Sequence, residues 1–430
     1  MTHYDLAVIG SGWAGFNAAK KARESGLKVA LIEKEKVGGT CLNRGCIPTK
    51  ALIQSAKVYS ICKKSGNFGI ESSAPKVNLK DIQGRKEAIV LGLRSGMESL
   101  LKGVDFIREE ARILSNDSIQ AGSNKITCAN ILIATGSSPS ELRDLKFDHE
   151  KILSSDDILS IDEIPSSLLV VGGGVIGCEF ASLFAHLGSK VTIIEKMPQL
   201  LPGEDKEAAR KLENIFKKRR IKVATSNAAF PDLKEFSRVL VCVGRRPSSE
   251  GFGLEDLGVE IENAKICVDE FLRTSIPNIY AAGDCTGKLM LAHYAAYQGE
   301  IAAHNIADPN NLKKCDKANI PNCIFTDPEI SSVGLKEEEA VSKGIETKIS
   351  KFDFLGSGMA RILDEKEGFI KVVSEKASGR VIGGSIIGPR ATELIGILTL
   401  AVSAGLSVSS LKETVFAHPT LHESIHEAVK

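Results

Sequence analysis

The chain has 430 residues, a length that predicts two to four domains, and its 43% hydrophobic and 25% charged residues are ordinary values for globular proteins. Its formal net charge of +1 leaves no overall field to attract nucleic acid or an anionic membrane. Ten cysteines in a chain of this length are too dilute for a small secreted scaffold held by disulfides. The first residues lead into a strand without the features of a signal peptide, and no apolar run approaches the ~18 residues of a membrane span, so we expect a cytoplasmic protein.

The chain opens with an apolar strand that runs into a glycine-rich turn. Residues 5–15 read Asp-Leu-Ala-Val-Ile-Gly-Ser-Gly-Trp-Ala-Gly, so that Gly10, Gly12 and Gly15 form the pattern Gly-x-Gly-x-x-Gly. The next apolar strand ends in Glu33, 18 residues after Gly15. In such a unit the glycines let the backbone approach a pyrophosphate at the start of a helix, and the acid binds ribose hydroxyls. The unit therefore predicts a dinucleotide site, with a βαβ unit that binds no ligand as the alternative.

Two cysteines five residues apart follow this unit. A disulfide needs Cα atoms within about 7 Å of each other, whereas five residues of regular helix advance about 7.5 Å. Cys41 and Cys46 can therefore pair only where the helix is interrupted, and Gly38, Gly39 and Gly45 permit that interruption. A bridge so local contributes little stability and is easily reduced, so the pair predicts a redox cycle. Two buried thiols that never pair are the alternative.

The first unit recurs 162 residues later. Residues 168–177 read Leu-Leu-Val-Val-Gly-Gly-Gly-Val-Ile-Gly, and Glu195 again lies 18 residues after the last glycine. The repeated glycines are Gly172, Gly174 and Gly177. Each unit is also followed by an apolar strand that ends in glycine, with Thr135 and Gly136 after the first unit and Gly244 after the second.

Two such sites imply two dinucleotides, a bound flavin and a diffusing nicotinamide cofactor. The carboxylate of Glu195 accepts a hydrogen bond from a 2′-hydroxyl and repels a 2′-phosphate. The residues directly after Glu195 offer no arginine clamp for such a phosphate. The sequence therefore favours NAD over NADP.

Two nucleotide-binding units with a Cys-x4-Cys segment after the first resemble the pyridine nucleotide–disulfide oxidoreductases. Residues 38–50, Gly-Gly-Thr-Cys-Leu-Asn-Arg-Gly-Cys-Ile-Pro-Thr-Lys, are most similar to the dihydrolipoamide dehydrogenase branch of that family. Residues 281–284 are similar to its flavin-binding aspartate segment, residues 321–329 to the start of its dimerisation domain, and residues 417–423 to its C-terminal signature. The resemblance implies an α/β fold, with two Rossmann-like dinucleotide-binding domains and a C-terminal α+β dimerisation domain.

The resemblance divides the chain into four parts. Residues 1–141 are expected to form the first part of an FAD-binding domain with the redox disulfide, and residues 267–317 its second part. Residues 142–266 would form the NAD-binding domain, and residues 318–430 the C-terminal dimerisation or interface domain. Residues 220–240 stand where the family usually has a longer segment with a strand meander, so the NAD-binding domain is expected to be trimmed.

By the same resemblance, Cys46 is expected to lie against FAD and Cys41 to face a dithiol substrate. His418 would accept the proton of the substrate thiol, and Glu423 would orient His418 and stabilise its charged form. In the family this His–Glu pair comes from the other subunit, which implies a homodimer with shared active sites. A capping or packing histidine is the alternative for His418.

By the same resemblance, charged side chains are expected beside the flavin. Lys50, one helical turn after Cys46, would pair there with Glu179, and Asp284 would hold the ribityl chain; a purely structural ion pair is the alternative for the first two. The residues expected to bind the cofactors are Gly10, Gly12, Gly15, Glu33, Lys50, Thr135, Gly136 and Asp284 for FAD, and Gly172, Gly174, Gly177, Glu195 and Gly244 for NAD.

The implied reaction is the oxidation of dihydrolipoamide to lipoamide by the Cys41–Cys46 disulfide, with the electrons passing to FAD and then to NAD. The lipoyl group would arrive on a partner, a lipoyl-bearing protein of a 2-oxoacid dehydrogenase or glycine cleavage complex.

Two other functions are open at this point. One is another NAD(P)H-dependent disulfide or metal-ion reductase of the same family, although the chain lacks the C-terminal Cys-Cys of mercuric reductases and a basic 2′-phosphate clamp. The other is a non-catalytic flavoprotein that acts as a docking or regulatory subunit, which the joint presence of the two cysteines, His418 and Glu423 argues against. Residues 422–426 also match the zinc pattern His-Glu-x-x-His, but no third ligand suggests itself and no metal site is predicted.

Overall fold

The computed structural model describes residues 2–227, 229–316 and 319–430. Its strands are β1 His3–Ile9, β2 Val29–Ile32, β3 Asp105–Ile107, β4 Ala111–Ser115, β5 Ser118–Ala121, β6 Asn124–Ile133, β7 Ser137–Pro139, β8 Ile152–Leu153, β9 Ser167–Val171, β10 Lys190–Ile194, β11 Lys222–Ala224, β12 Arg238–Val241, β13 Arg245–Pro247, β14 Ile261–Glu262, β15 Lys265–Ile266, β16 Ile279–Ala281, β17 Asn322–Ile324, β18 Glu329–Gly334, β19 Thr347–Asp353, β20 Phe369–Glu375 and β21 Val381–Gly388. Its α-helices are α1 Trp13–Glu24, α2 Gly39–Arg44, α3 Cys46–Lys63, α4 Leu79–Leu100, α5 Val175–Leu187, α6 Lys206–Lys218, α7 Leu254–Leu257, α8 Ala292–Ala307, α9 Glu337–Ser342, α10 Gly358–Ile362, α11 Ala391–Ser403, α12 Val408–Glu413 and α13 Glu423–Val429.

The first sheet has seven strands in the order β3–β2–β1–β6–β5–β4, with β16 also beside β6. Strands β3, β2, β1, β6 and β16 are parallel to their neighbours, whereas β4, β5 and the start of β6 form an antiparallel meander. The parallel strands are continuous apolar runs because both faces of such a sheet are covered, and every residue of β2 is buried. Through β16 the chain returns to this sheet after the second sheet is complete.

The second sheet is entirely parallel, in the order β11–β10–β9–β12–β8. Its central strand β9 is followed by the second glycine-rich turn, as β1 is followed by the first. Within the described part of residues 220–240, the structure has only β11, a 3-10 helix at Leu233–Glu235 and the start of β12. The predicted trimming also concerns Ala228, which lies outside the described residues.

The third sheet is antiparallel, in the order β17–β18–β21–β20–β19, and α11 packs on it through Leu394 and Leu398. Two α/β sheets, one mainly and one entirely parallel, and one antiparallel sheet with helices confirm the predicted fold class. The predicted domain boundary between residues 317 and 318 lies outside the described residues.

Close backbone contacts and buried charges hold these parts together around the site. Helix α8 lies directly on α1. The two helices are so close that a side chain at Gly299 would come within 2.1 Å of the carbonyl oxygen of Ala14. The ribbon β7–β13 joins the segments that follow the two units. Lys371 of β20 donates to Asp205 at the start of α6, at 2.9 Å, and both side chains are buried. In the described part of the chain, no helix is both long and apolar enough to cross a membrane.

Candidate active site

A cleft of about 1810 Å³ contains most of the residues that the sequence singles out. It is lined by the ends of β1 and β9, by the start of α3 and by residues at the start of the third sheet. The predicted site residues that line it are Gly10, Gly12, Glu33, Cys41, Cys46, Lys50, Thr135, Gly136, Gly172, Gly174, Glu179, Glu195, Gly244 and Asp284. Gly15, Gly177, His418 and Glu423 do not line it.

The three glycines of the first turn have three different surroundings. Gly10 has φ +98°, and a side chain there would meet the carbonyl oxygen of Ala134 at 2.4 Å. A side chain at Gly15 would meet the carbonyl oxygen of Gly10 at 1.9 Å, so this glycine lets α1 pack against the turn. The middle residue, Gly12, faces the cleft, where the nearest neighbour of an added side chain is Gly39, at 3.9 Å. The second unit repeats this geometry at Gly172, Gly177 and Gly174.

This arrangement leaves open space over each turn at the start of a helix, which is the geometry that a pyrophosphate needs. A side chain on either middle glycine would enter that space. Both turns therefore fit a dinucleotide.

The two acidic residues are fixed by backbone N–H groups. Glu33 accepts hydrogen bonds from the backbone N–H and the hydroxyl of Ser11, both at 2.8 Å. Glu195 accepts from the backbone N–H of Gly173 at 2.6 Å and of Met197 at 2.7 Å. A carboxylate offers about four acceptor positions, so each acid keeps acceptors for the hydroxyls of a ribose in the cleft.

The cysteine segment is a broken helix, as predicted. Helix α2 ends at Arg44 and α3 begins at Cys46, with Gly45 between them at φ −145° and ψ −113°. A side chain at Gly45 would lie 2.9 Å from the carbonyl oxygen of Thr40. The two cysteines are not bonded to each other in this structure, and each affects the pKa of the other.

The two thiols differ in acidity. A hydrogen bond from Cys41 lowers the pKa of Cys46 to about 7, and Lys50 acts in the same direction, against the effects of burial and of Glu179. The hydrogen bond with Cys46 and burial together raise the pKa of Cys41 well above its ordinary value. At neutral pH the reduced pair therefore places its negative charge on Cys46 and keeps a proton on Cys41.

Lys50 and Glu179 are brought together across 129 residues. Lys50 Nζ lies 2.8 Å from Glu179 Oε2 and 3.0 Å from Oε1, and Glu179 is 3% exposed. The backbone N–H of Phe325 donates to Glu179 at 2.9 Å, and Lys50 Nζ lies 4.7 Å from the centre of the Phe325 ring. The pair thus joins α3, α5 and the start of the third sheet at the cleft wall.

His418 and Glu423 form a second pair, which does not line the cleft that contains the cysteines of their own chain. His418 Nδ1 lies 2.7 Å from Glu423 Oε1, and the backbone N–H of Thr420 donates to Glu423 Oε2 at 2.8 Å. These two contacts lower the pKa of Glu423. The His418 side chain is 80% exposed, and the peptide bond between His418 and Pro419 is cis. Nδ1 is held by the carboxylate, which leaves Nε2 to exchange a proton.

Sequence reasoning missed a polar chain next to Asp284. Ser137 Oγ donates to Asp284 Oδ2 at 2.6 Å, and Arg245 Nε donates to Ser137 Oγ at 2.8 Å. All three residues line the cleft. Ser137 and Arg245 each follow the glycine that ends an equivalent strand, so alignment of the two repeats could have found them.

The zinc-like pattern near the C-terminus does not assemble a ligand group. In the described residues, three potential metal ligands come together only at Glu260, Glu262 and Cys267. The Nδ1 atom of His426 lies 3.4 Å from the carbonyl oxygen of Leu411.

Two family descriptions match the chain. Residues 4–299 match the pyridine nucleotide-disulphide oxidoreductase family, and residues 320–429 match the dimerisation domain of the same family.

The chain is also similar to individual proteins over its whole length. It is 40% identical over 448 residues to a dihydrolipoyl dehydrogenase of Bacillus subtilis (strain 168), covering 99% of this chain and 97% of that protein. Among solved structures, LpdA from Mycobacterium tuberculosis has a TM-score of 0.91 at 28% identity, covering 100% and 99% of the two chains. The HOCl-induced flavoprotein disulfide reductase RclA from Escherichia coli has a TM-score of 0.88 at 27% identity, covering 99% of each chain.

Proposed function

Since this chain belongs to the pyridine nucleotide-disulphide oxidoreductase family, we propose that it is an FAD-dependent dihydrolipoyl dehydrogenase that oxidises protein-bound dihydrolipoamide to lipoamide and reduces NAD. The family membership expected from the motifs is thereby confirmed. The observation that carries the proposed activity is the unequal cysteine pair, which lies in one cleft with both glycine-rich turns.

The residues around the first turn fit FAD, because the turn leaves room for a pyrophosphate and Glu33 keeps acceptors for a ribose. The residues that would hold FAD are Gly10, Gly12, Gly15, Glu33, Lys50, Thr135, Gly136 and Asp284. NAD, as the second substrate, would be held by Gly172, Gly174, Gly177, Glu195 and Gly244. When bound, FAD supplies the two-electron exchange between the cysteine pair and NAD.

The side chains of this protein carry out the thiol exchange. One thiolate of the substrate attacks Cys41 of the oxidised pair, so that the S–S bond breaks and its electron pair goes to Cys46. Cys46 leaves readily because its pKa, lowered to about 7, stabilises its thiolate form. The second substrate thiolate then attacks the substrate sulfur of the mixed disulfide, which forms lipoamide and releases Cys41. The charge of Lys50 favours the thiolate on Cys46 throughout.

His418 would accept the proton of the attacking substrate thiol, and Glu423 would stabilise the imidazolium. Because neither residue lines the cleft of its own chain, we infer that they act in the site of the other subunit of a homodimer. Residues 320–429 belong to the dimerisation domain of the family, and this part exposes apolar side chains that a second copy would cover, such as Val415, which is 95% exposed.

Complementation tests this shared site. Subunits with Cys41→Ser and subunits with His418→Gln are each expected to be inactive as homodimers. After random mixing in equal amounts, half of the dimers contain one intact site, so about a quarter of the wild-type activity should return. No recovery on mixing would mean that His418 and Cys41 of one chain serve the same site.

Lipoyl-bearing proteins of a 2-oxoacid dehydrogenase or glycine cleavage complex are the proposed partners, and the cytoplasm is the proposed location. The four-part division at residues 141, 266 and 317 is proposed as well, with β16 in the second part of the FAD-binding domain.

Anaerobic stopped-flow reduction tests the activity. We expect dihydrolipoamide and NADH, but not NADPH or glutathione, to produce the long-wavelength absorbance of a thiolate against oxidised flavin. A response to NADH without one to dihydrolipoamide would keep the disulfide chemistry and refute the substrate. Absence of the band with every reductant would refute the thiol chemistry, and a Cys46→Ser variant is the control for the assignment of the band.

A further inference from the structure

Trp13 is the single tryptophan of the chain, and it is the first residue of α1. Its ring packs against the apolar core of the first unit and lines the same cleft as Cys41. The indole nitrogen Nε1 is buried, and among the described residues no acceptor meets hydrogen-bonding geometry with it. Buried N–H groups nearly always have an acceptor, so this unpaired donor needs an explanation.

The fold brings this indole to the cysteine segment. The first turn touches that segment, because a side chain at Gly39 would lie 2.7 Å from the Cα atom of Gly12, the residue next to Trp13. An interaction with Trp13 lowers the pKa of Cys41, although the larger effects of Cys46 and of burial raise that pKa. In the reduced pair Cys41 is a neutral thiol, which is a weak acceptor. The indole N–H therefore has a strong hydrogen-bond acceptor in Cys41 only when Cys41 is a thiolate.

We propose that Trp13 stabilises the thiolate form of Cys41 during dithiol–disulfide exchange, by donating a hydrogen bond from its indole N–H to the Cys41 sulfur. This inference rests on the thiol chemistry of the proposed function. When the second substrate thiolate attacks the mixed disulfide, the S–S bond breaks and its electron pair goes to Cys41. In the reverse direction the same Cys41 thiolate is the nucleophile that attacks lipoamide.

The other groups that face Cys41 do not replace this donor. Cys46 carries the negative charge of the reduced pair and therefore opposes a second charge on Cys41. Lys50 favours a charge on Cys41, but its ammonium group is already bonded to both oxygens of Glu179. His418 of the partner subunit would exchange a proton, whereas an indole N–H donates without giving its proton away. Trp13 would thus stabilise charge while His418 moves the proton.

The test is the pH dependence of Cys41 alkylation. The FAD-containing protein is reduced anaerobically with dithiothreitol, treated with iodoacetamide, and analysed by peptide mapping so that Cys41 is followed separately from the other cysteines. Only the thiolate displaces iodide, so the rate reports the charged fraction of Cys41. Trp13→Phe, which removes the N–H, is expected to move the profile to higher pH and to slow alkylation about tenfold on its rising limb.

Tyr297→Phe is the control, because Tyr297 also lines the cleft and packs on the same core without acting on Cys41. It should leave the Cys41 profile unchanged. An unchanged profile in a folded, FAD-containing Trp13→Phe protein would overturn the inference, and so would an equal shift in the control.

A measurement on the unmodified sequence decides the case if Trp13→Phe fails to fold. Because Trp13 is the only tryptophan, nitrogen-labelled tryptophan gives one indole N–H resonance. In the reduced protein that resonance should titrate at the pH of Cys41 alkylation, and Cys41→Ser should abolish the titration. A resonance indifferent to pH in the reduced protein would overturn the inference. If dihydrolipoamide fails as substrate while the indole still titrates with Cys41, only the proposed substrate is refuted.

Discussion

Replacement of either member of the Lys50–Glu179 pair should move the acidity of Cys46 in opposite directions. Lys50 lowers the pKa of Cys46 and Glu179 raises it, and the pKa stands at about 7 with both in place. Lys50→Met removes the stabilising charge, so the pKa should rise and the thiolate fraction at neutral pH should fall. Glu179→Gln removes the opposing charge, so the pKa should fall and the thiolate fraction should rise.

The same substitutions should differ in their effect on stability. Lys50→Met leaves the carboxylate of Glu179, which is 3% exposed, with the backbone N–H of Phe325 as its one remaining partner among the described residues. Loss of one partner of a buried ion pair lowers the free energy of unfolding by about 3 kcal/mol. Glu179→Gln keeps an acceptor for Phe325 and leaves Lys50, a quarter exposed, in contact with water. Glu179→Gln should therefore lower the free energy of unfolding by about 1–2 kcal/mol.

The assay is a pH titration of the thiolate absorbance in the reduced, FAD-containing protein, together with denaturant unfolding. Lys57→Met is the matched control, because Lys57 lies on the same helix in an ion pair with Glu365 and is similarly exposed. It should leave the Cys46 titration unchanged. Shifts of the same sign in Lys50→Met and Glu179→Gln would refute the electrostatic reasoning, as would an equal shift in the control.

Three further substitutions test other parts of the site. His418→Gln should lower dithiol turnover by roughly 10²–10⁴-fold and leave the reduction of bound FAD by NADH nearly unchanged, with the exposed His422→Gln as control; equal losses in both reactions would contradict the role of a base. Gly174→Ala should raise the KM for NAD at unchanged stability, because its methyl enters open space in the cleft, whereas Gly177→Ala should destabilise the fold by about 2 kcal/mol, because its methyl would lie 2.0 Å from the carbonyl oxygen of Gly172. Asp327→Asn should weaken the loss of stability at acid pH. Burial raises the pKa of Asp327, but ion pairing with His186 and Arg219 outweighs burial and holds that pKa well below its ordinary value. The stability that the Asp327 carboxylate adds is therefore present above about pH 4 and is lost on further acidification. Parallel acid curves for Asp327→Asn and the wild type would contradict that account.

Local patterns were enough to predict the two nucleotide-binding units. Each unit is specified by glycines and an acid within one short stretch, and the structure uses Gly10 and Gly172 in the same conformation, with φ of +98° and +107°. The break between α2 and α3 was also predictable, because it follows from the spacing of Cys41 and Cys46 and from Gly45.

Contacts between distant segments could not be derived in this way. The contact between Lys50 and Glu179 was predicted only from the family resemblance, since the sequence near either residue does not indicate the other. The chain Arg245–Ser137–Asp284 depends on the pairing of β7 with β13, which links segments more than a hundred residues apart. The unpaired N–H of Trp13 is a property of packing that composition and spacing do not contain.

In the proposed reaction, electrons pass through Cys46, whereas protons are exchanged at Cys41. The pKa of Cys46, lowered to about 7, favours its thiolate, and the carboxylate of Glu179 accepts hydrogen bonds from Lys50 and from the backbone N–H of Phe325. The raised pKa of Cys41 keeps the proton of the reduced pair on that thiol. In the proposed reaction the exposed His418, held by Glu423, would reach Cys41 from a second subunit. On this proposal dimerisation is required for the chemistry, because the base that completes the cycle of one chain's cysteines lies on the other chain.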